Sequence, residues 1–208
     1  MPQDPVQTLA DRVAALAPPT GGGRFIVGIA GAPGAGKSTL AHGLVAALGL
    51  GRAVLVPMDG FHLSQEELSR LGLADRKGAP DTFDAWGFVN LMRRLRAAEE
   101  LVYAPEFRRE IEQSIGSAIP VPPEVEIVVV EGNYLLLDSR PWALARPLFD
   151  LVAYLDVPDE TRVARLLDRA RAGGRDEAAA RDWVFRNDEA NAALVAASRG
   201  RADMPLSP

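Results

Sequence analysis

The chain has 208 residues, 48% of them apolar and 25% charged, with 23 lysines and arginines against 28 aspartates and glutamates. That length and balance suit one folded unit burying roughly 70% of its unfolded surface, and they exclude a wholly disordered chain. A net charge of −5 argues against a general nucleic-acid binder, and the lack of cysteine excludes disulfides, thiolate metal sites and cysteine nucleophiles.

Val6, Leu9, Val13 and Leu16 follow helical spacing, and Pro18, Pro19 and Gly21–Gly23 end that helix. Phe25 to Ala30 reads as a short buried strand, Gly31 to Gly36 as a glycine-rich loop, and Lys37 to Leu48 as a helix. Ala53 to Pro57 reads as a second strand, Leu63 to Leu71 as a helix and Asp75 to Phe83 as a loop. Trp86 to Glu100 is helical, with Phe88, Leu91, Met92 and Leu95 on one face. Leu101 to Pro122 reads as a short hairpin or an ordered loop. Val125 to Val130 and Leu151 to Leu155 are buried strands. Glu160 to Ala172 is an arginine-rich helix, and Glu177 to Ser198 a final one. Strands alternating with helices predict an α/β fold, a parallel sheet with helices on both faces. There is no internal repeat and no low-complexity segment. No apolar run reaches the ~18–20 residues that span a bilayer, so no membrane insertion is expected. Met1 to Asp11 lacks a basic region followed by an apolar one, so a cytoplasmic location is expected.

Gly31-Ala32-Pro33-Gly34-Ala35-Gly36-Lys37-Ser38 fits G-x-x-x-x-G-K-[ST], with Thr39 following. Its glycines let backbone N–H groups turn inward around a phosphate chain, and the helix behind it presents its positive end. Lys37 is expected on the β- and γ-phosphates and the Ser38 hydroxyl on Mg²⁺. The strand before and the helix after supply the context that such a loop needs. ATP is the expected nucleotide. The Asn-Lys-x-Asp of GTP-binding switches is missing, and Asn187-Asp188 lacks its lysine.

Ligands of open α/β sheets bind at the carboxyl ends of the strands. Asp59 follows the second strand and Glu131 ends the third, so both carboxylates are expected beside the phosphate loop. One would take a proton from an acceptor hydroxyl; the other would hold Mg²⁺ or orient the acceptor. His62 either contacts substrate or packs in the turn, whereas His42, one turn into its helix, reads as structural. With only these two imidazoles, a multi-histidine metal centre is excluded.

Together these segments resemble the phosphoribulokinase/uridine kinase family of P-loop kinases, with pantothenate kinase as a relative. The resemblance is strongest to a subgroup described as fructose transport system kinases or nucleoside/nucleotide kinase-like proteins. It rests on Gly31–Thr39, Val56–Leu63, Arg76–Asp84, Val102–Glu110, Val128–Leu137 and Trp183–Val195. Met58-Asp59-Gly60-Phe61-His62 and Arg76-Lys77-Gly78-Ala79-Pro80 are the more specific strings. The resemblance implies a three-layer P-loop NTPase sandwich occupying 1–208, with a substrate-covering insertion at about 64–122 and a small helical lid at about 160–182. It makes Asp59 the general base and sets Glu131 near Mg²⁺ and substrate, so that Ser38, Asp59 and Glu131 form the metal group. It places Arg76 and Lys77 in the loop over the acceptor, and Tyr103 and Arg109 in the substrate-binding hairpin. Uridine kinases tend to carry a second acid where this chain has Gly60, which favours the pantothenate-kinase side. Relatives carry a last core strand at 202–205, which Pro205 is expected to interrupt.

Arg162, Arg165 and Arg169 recur at helical spacing, with Val163, Leu166 and Leu167 expected inward. Arginine forks suit the charge of a transferring phosphoryl group. The helix reads either as a lid, the preferred reading for the set, or as a solvated face paired with Asp159, Glu160 and Asp168. Gly173-Gly174 is a hinge or a C-cap. Trp183, Asn187, Asn191 and Leu194 share a stripe, and the asparagines either bond substrate or bridge to neighbouring backbone. Phe107 and Tyr103 either stack on an acceptor or pack in the core. The leading reading is an ATP-dependent kinase acting on a small hydroxyl acceptor, with a homodimer as the expected assembly. A regulatory ATPase working through a partner protein comes second, and a nucleic-acid ATPase third.

Overall fold

The computed structural model describes residues 4–19, 21–49 and 51–208. Helix α1 (Pro5–Leu16) starts at Asp4, whose carboxylate accepts the Val6 N–H at 3.0 Å, with Pro5 at the first helical position. Five strands follow: β1 (Phe25–Ala30), β2 (Ala53–Pro57), β5 (Ile127–Gly132), β6 (Leu151–Leu155) and β7 (Met204–Leu206). They form one parallel sheet in the order β2-β5-β1-β6-β7. Between β2 and β5, β3 (Val102–Arg108) and β4 (Gln113–Val121) pair antiparallel as a separate hairpin.

β1 and β5 are buried along their whole length because both faces are covered. Phe25, Val27, Ile29, Ile127 and Val129 pack under α1 and α2 (Lys37–Leu48) with Leu9, Val13, Leu40 and Leu44. On the opposite face, Ile26, Val128, Val130 and Val152 pack with Phe88, Met92 and Leu95 of α4 (Ala85–Ala97). The α/β expectation is met. α3 (Gln65–Leu71) and α4 are N-capped by Ser64 and Asp84. The loop expected at Asp75–Phe83 contains two short 3-10 turns, Ala74–Arg76 and Pro80–Thr82.

Three local expectations need correction. Pro205 does not interrupt the last strand. β7 lies at the edge of the sheet, where a residue without an N–H is tolerated, and Pro205 is exposed there beside Tyr154. Ahead of it, Asp203 takes the Val152 N–H at 2.6 Å. The 177–198 segment is not one helix: α6 (Glu177–Trp183) passes through a π-turn at Val184–Asp188 into α7 (Glu189–Ala197). The wide turn breaks the expected stripe, burying Asn187 and Asn191 while Leu194 is exposed. In α5 (Asp159–Ala172) the inward face is Arg162, Leu166 and Ala170, with Val163 and Leu167 only half-buried. Arg162 is tolerated inside because its guanidinium meets Asp159, Glu189 and the Pro33 carbonyl.

Candidate active site

The phosphate loop, Gly31 to Gly36, joins β1 to the N-terminus of α2. Gly34 has φ of +79°, and a Cβ there would lie 2.7 Å from the Arg162 carbonyl, so the loop and α5 touch backbone to side. Lys37 is buried, and its ammonium donates to the Ala32 carbonyl at 3.1 Å. Burial lowers its pKa, while Glu131 and Asp59 act to raise it. The Ser38 hydroxyl donates to Glu131 Oε1 at 2.9 Å. Glu131 is held above the usual carboxylate range by burial and then by the charge of Asp59, with Lys37 and Ser38 opposing.

Asp59 sits in a 3-10 turn, Met58–Phe61, that caps β2. The hairpin lies against this turn: a Cβ on Gly60 would fall 2.3 Å from the Pro105 carbonyl oxygen. A second acid at 60 is therefore sterically barred here. Arg109, at the hairpin turn, brings Nη2 to 3.9 Å from Asp59 Oδ2. His62 Nδ1 lies 2.9 Å from the Asp59 carbonyl oxygen, and its ring packs against Phe83 and Phe107, tilted to both, with centroids 4.0 and 4.8 Å away. Burial pushes its pKa down, towards the neutral imidazole. Lys77 donates to the Glu112 carbonyl and carboxylate at 3.0 and 3.1 Å, with its ammonium over the Phe107 ring.

A cavity of about 1220 Å³ runs from the phosphate loop to this hairpin. Pro33, Gly34, Gly36, Lys37, Ser38 and Thr39 line one end, and His62, Lys77, Phe107 and Arg109 the other, with Asp59 and Glu131 also facing it. Arg165 and Arg169 of α5 close a third side. Arg165 donates to the Gly34 and Ala35 carbonyls at 3.3 and 3.1 Å, and Arg169 lies 3.8 Å from Asp188. Gly31 and Ala35 belong to the loop but face away from the cavity, Gly31 against the Leu155 carbonyl and Ala35 buried. Ala32 lines a second cavity of about 840 Å³ between the end of β6 and α7.

Not every expected site residue reaches the main cavity. Arg76 is drawn aside to Asp81, 3.1 Å away on the surface. Tyr103 lies at the far end of β3, half-exposed opposite Pro120. Asn187 is buried and does not line the cavity; its Nδ2 donates to the Lys77 carbonyl at 2.9 Å, the bridging alternative. His42 is on the exposed face of α2. The sequence reading passed over Glu112, which fixes Lys77, and Tyr134, whose hydroxyl donates to the Gly78 carbonyl. Asp188, named in the sequence only as part of Asn187-Asp188, lines the cavity as well, and its place between two asparagines of the stripe was a usable signal. Burial raises the Tyr134 phenol well above its ordinary value, keeping it a donor.

A phosphate loop at the carboxyl end of a parallel sheet, faced by two strand-end carboxylates, defines a P-loop nucleotide-binding protein. The family described as AAA domain matches residues 27–192. A candidate uridine kinase of Schizosaccharomyces pombe is 37% identical over 194 residues, covering 88% of this chain and 83% of the relative. A pantothenate kinase of Mycolicibacterium vanbaalenii is 32% identical over 136 residues, 64% of this chain and 43% of its own length. The crystal structure of a candidate fructose transport system kinase from Silicibacter sp. TM1040 superposes with a TM-score of 0.89 at 40% identity, over 97% of this chain and 98% of that one. The chain belongs to the P-loop kinase family that holds these proteins, and it is an enzyme of that kinase class.

Proposed function

We propose that this chain transfers the γ-phosphoryl group of ATP to a hydroxyl of a small metabolite of the sugar, nucleoside or pantothenate type. The observation that carries the reading is one cavity with two ends. Lys37 and the phosphate loop stand at one end, an aromatic and cationic acceptor wall at the other, and Asp59 between. The names of the relatives support the same class of reaction.

On this reading Asp59 takes the acceptor hydroxyl proton as the new oxygen–phosphorus bond forms and the bond to the β-phosphate oxygen breaks. Lys37, Arg165 and Arg169 hold the charge that spreads over the transferring group. His62, Lys77, Phe107 and Arg109 frame the acceptor. Ser38, Glu131 and Asp59 offer only hard oxygen donors, and among the described residues no cluster of three or more His, Asp or Glu side chains forms a closed metal cage. That donor set fits Mg²⁺, which keeps several waters and uses one or two carboxylates. When bound, Mg²⁺ neutralises charge on the phosphate oxygens. Residues 64–122 would act as the acceptor-covering insertion and 160–182 as the lid. A cytoplasmic location and a homodimer go with this reading, the latter tested by light scattering.

The test is ADP production with ATP and Mg²⁺ against fructose, other sugars, ribonucleosides and pantothenate. Turnover should depend on one acceptor class and fall by roughly 10²–10⁴-fold in Asp59→Asn. Slow hydrolysis with no acceptor dependence, unchanged in Asp59→Asn, would instead support a regulatory ATPase acting through a partner protein.

A further inference from the structure

Three consecutive residues where the π-turn passes into α7 each hold a different element around the main cavity. Asn187, 6% exposed, donates its amide to the Lys77 carbonyl in the acceptor loop. Asp188, 8% exposed, faces Arg169 at 3.8 Å. Glu189 accepts from Arg162 Nη1 at 3.1 Å, and the same nitrogen donates to the Pro33 carbonyl of the phosphate loop at 3.1 Å. Arg162 is 3% exposed, so this link runs through the interior.

The backbone explains how neighbours can reach three ways. Successive helical residues point about 100° apart, and the π-turn adds the residue that turns both Asn187 and Asp188 inward. Adjacent contacts reinforce the arrangement. Arg186 donates to the Asp75 carbonyl at 3.2 Å, and Tyr134 holds the Gly78 carbonyl from the sheet side. The acceptor loop is thus pinned through Lys77 to the helix pair and through Gly78 to the sheet. The first of these anchors continues to the phosphate loop through Glu189 and Arg162, and the second reaches its far end along the backbone from Tyr134 to Glu131, which accepts from Ser38.

We propose that Asn187, Asp188 and Glu189 are positioning residues that join the acceptor loop, the lid arginine and the phosphate loop into one unit, so that filling the nucleotide end orders the acceptor end before any acceptor arrives. None of the three needs to touch the reacting atoms. The coupling is carried by contacts that share one short backbone segment, the kind of contiguous element through which two sites bias each other. This rests on the nucleotide-binding reading above.

Hydrogen exchange of residues 74–83 tests it without knowledge of the acceptor. The probe is β,γ-methylene ATP with Mg²⁺, and its binding is followed in parallel by calorimetry. In the unmodified chain the bound probe should slow exchange across 74–83 by about tenfold, within the ~5–150-fold span of typical coupling. In Asn187→Ala the probe should still protect 31–39, but the response at 74–83 should fall severalfold, with the Arg186–Asp75 and Tyr134–Gly78 contacts carrying what is left. Asn187→Leu removes the same donor at similar volume without burying a charge and should behave alike, which covers the case in which the cavity left by alanine disturbs folding. In Glu189→Gln, the protection of 74–83 should fall and probe affinity with it. Binding of the probe with no response at 74–83, or a full response in both Asn187 variants, overturns the coupling alone. Failure of the probe to bind at all overturns the nucleotide reading and this inference together.

Discussion

Glu131 shows how a site residue can work against the fold that holds it. It is 5% exposed, and both burial and the charge of Asp59 resist its ionisation. Its folded pKa is raised, so the folded chain keeps this proton to higher pH than the unfolded chain does. The stability that follows is complete below the unfolded carboxylate range and is lost as pH climbs through the folded value. Ionising Glu131 in the folded chain is therefore a cost. Once pH has climbed past that folded value, Glu131→Gln should melt above the parent in the ligand-free state, while lowering turnover. The gap between the two melting curves should close as pH falls; a gap that widens on acidification would contradict the raised pKa. Gly60 illustrates the opposite kind of constraint. Because the Pro105 carbonyl lies 2.3 Å from where its Cβ would be, Gly60→Ala must push β3 away from the turn that carries Asp59. The expected loss is about 1–3 kcal/mol in urea unfolding, with a higher KM for the acceptor because Phe107 and Arg109 move with the strand.

At the scale of elements, the contact between α5 and the phosphate loop is the one to probe. Gly34 sits at φ +79° with the Arg162 carbonyl 2.7 Å from its absent Cβ and the Leu166 side chain at 3.0 Å. Gly34→Ala should strain the loop and lift α5 together, weakening nucleotide binding at least about tenfold, or about 1.4 kcal/mol by calorimetry. This interlock could not be read from sequence, because periodicity treats an arginine in an amphipathic helix as solvent-facing. Arg162 breaks that pattern through long-range partners on the phosphate loop and α7. The same limit explains the π-turn, since a stripe at 183, 187, 191 and 194 counts residues without registering the added one. It also explains β7, where Pro205 looks like a breaker until the strand is known to lie at the sheet edge. What local chemistry determines was legible. The buried strands announced themselves by unbroken apolar runs such as Val128-Val129-Val130. The phosphate loop did so by its glycines, and Asp59 and Glu131 by their places at the ends of strands. Whether Arg76 and Tyr103 would reach the cavity depended on Asp81 and on the direction of the hairpin, neither of which a spacing encodes.

For the molecule as a whole, the charge distribution and the fold predict how ligand and stability are linked. The chain carries a net −5, yet the main cavity sets six cations, Lys37, Lys77, Arg109, Arg165, Arg169 and Arg175, against five acids, Asp59, Glu110, Glu112, Glu131 and Asp188. An anion is thus drawn to one concave region of an acidic protein, and added salt should weaken its binding. The cavity borders the phosphate loop, the hairpin, α5 and the π-turn, so a ligand that fills its phosphate end bears on elements from both halves of the chain. Binding to the folded state alone stabilises it by mass action, about 2.7 kcal/mol at a hundredfold excess over Kd. For a chain of this size, where ~1 kcal/mol moves Tm by ~2–4 °C, β,γ-methylene ATP with Mg²⁺ should raise the Tm by about 5–10 °C. Raising the salt from about 0.05 to 0.5 M at fixed ligand should shrink that shift. In Lys37→Met, which leaves the loop backbone in place but removes the buried ammonium beside Glu131 and Asp59, the shift should disappear. A ligand-induced shift that survives the loss of Lys37 would mean that the nucleotide is held elsewhere.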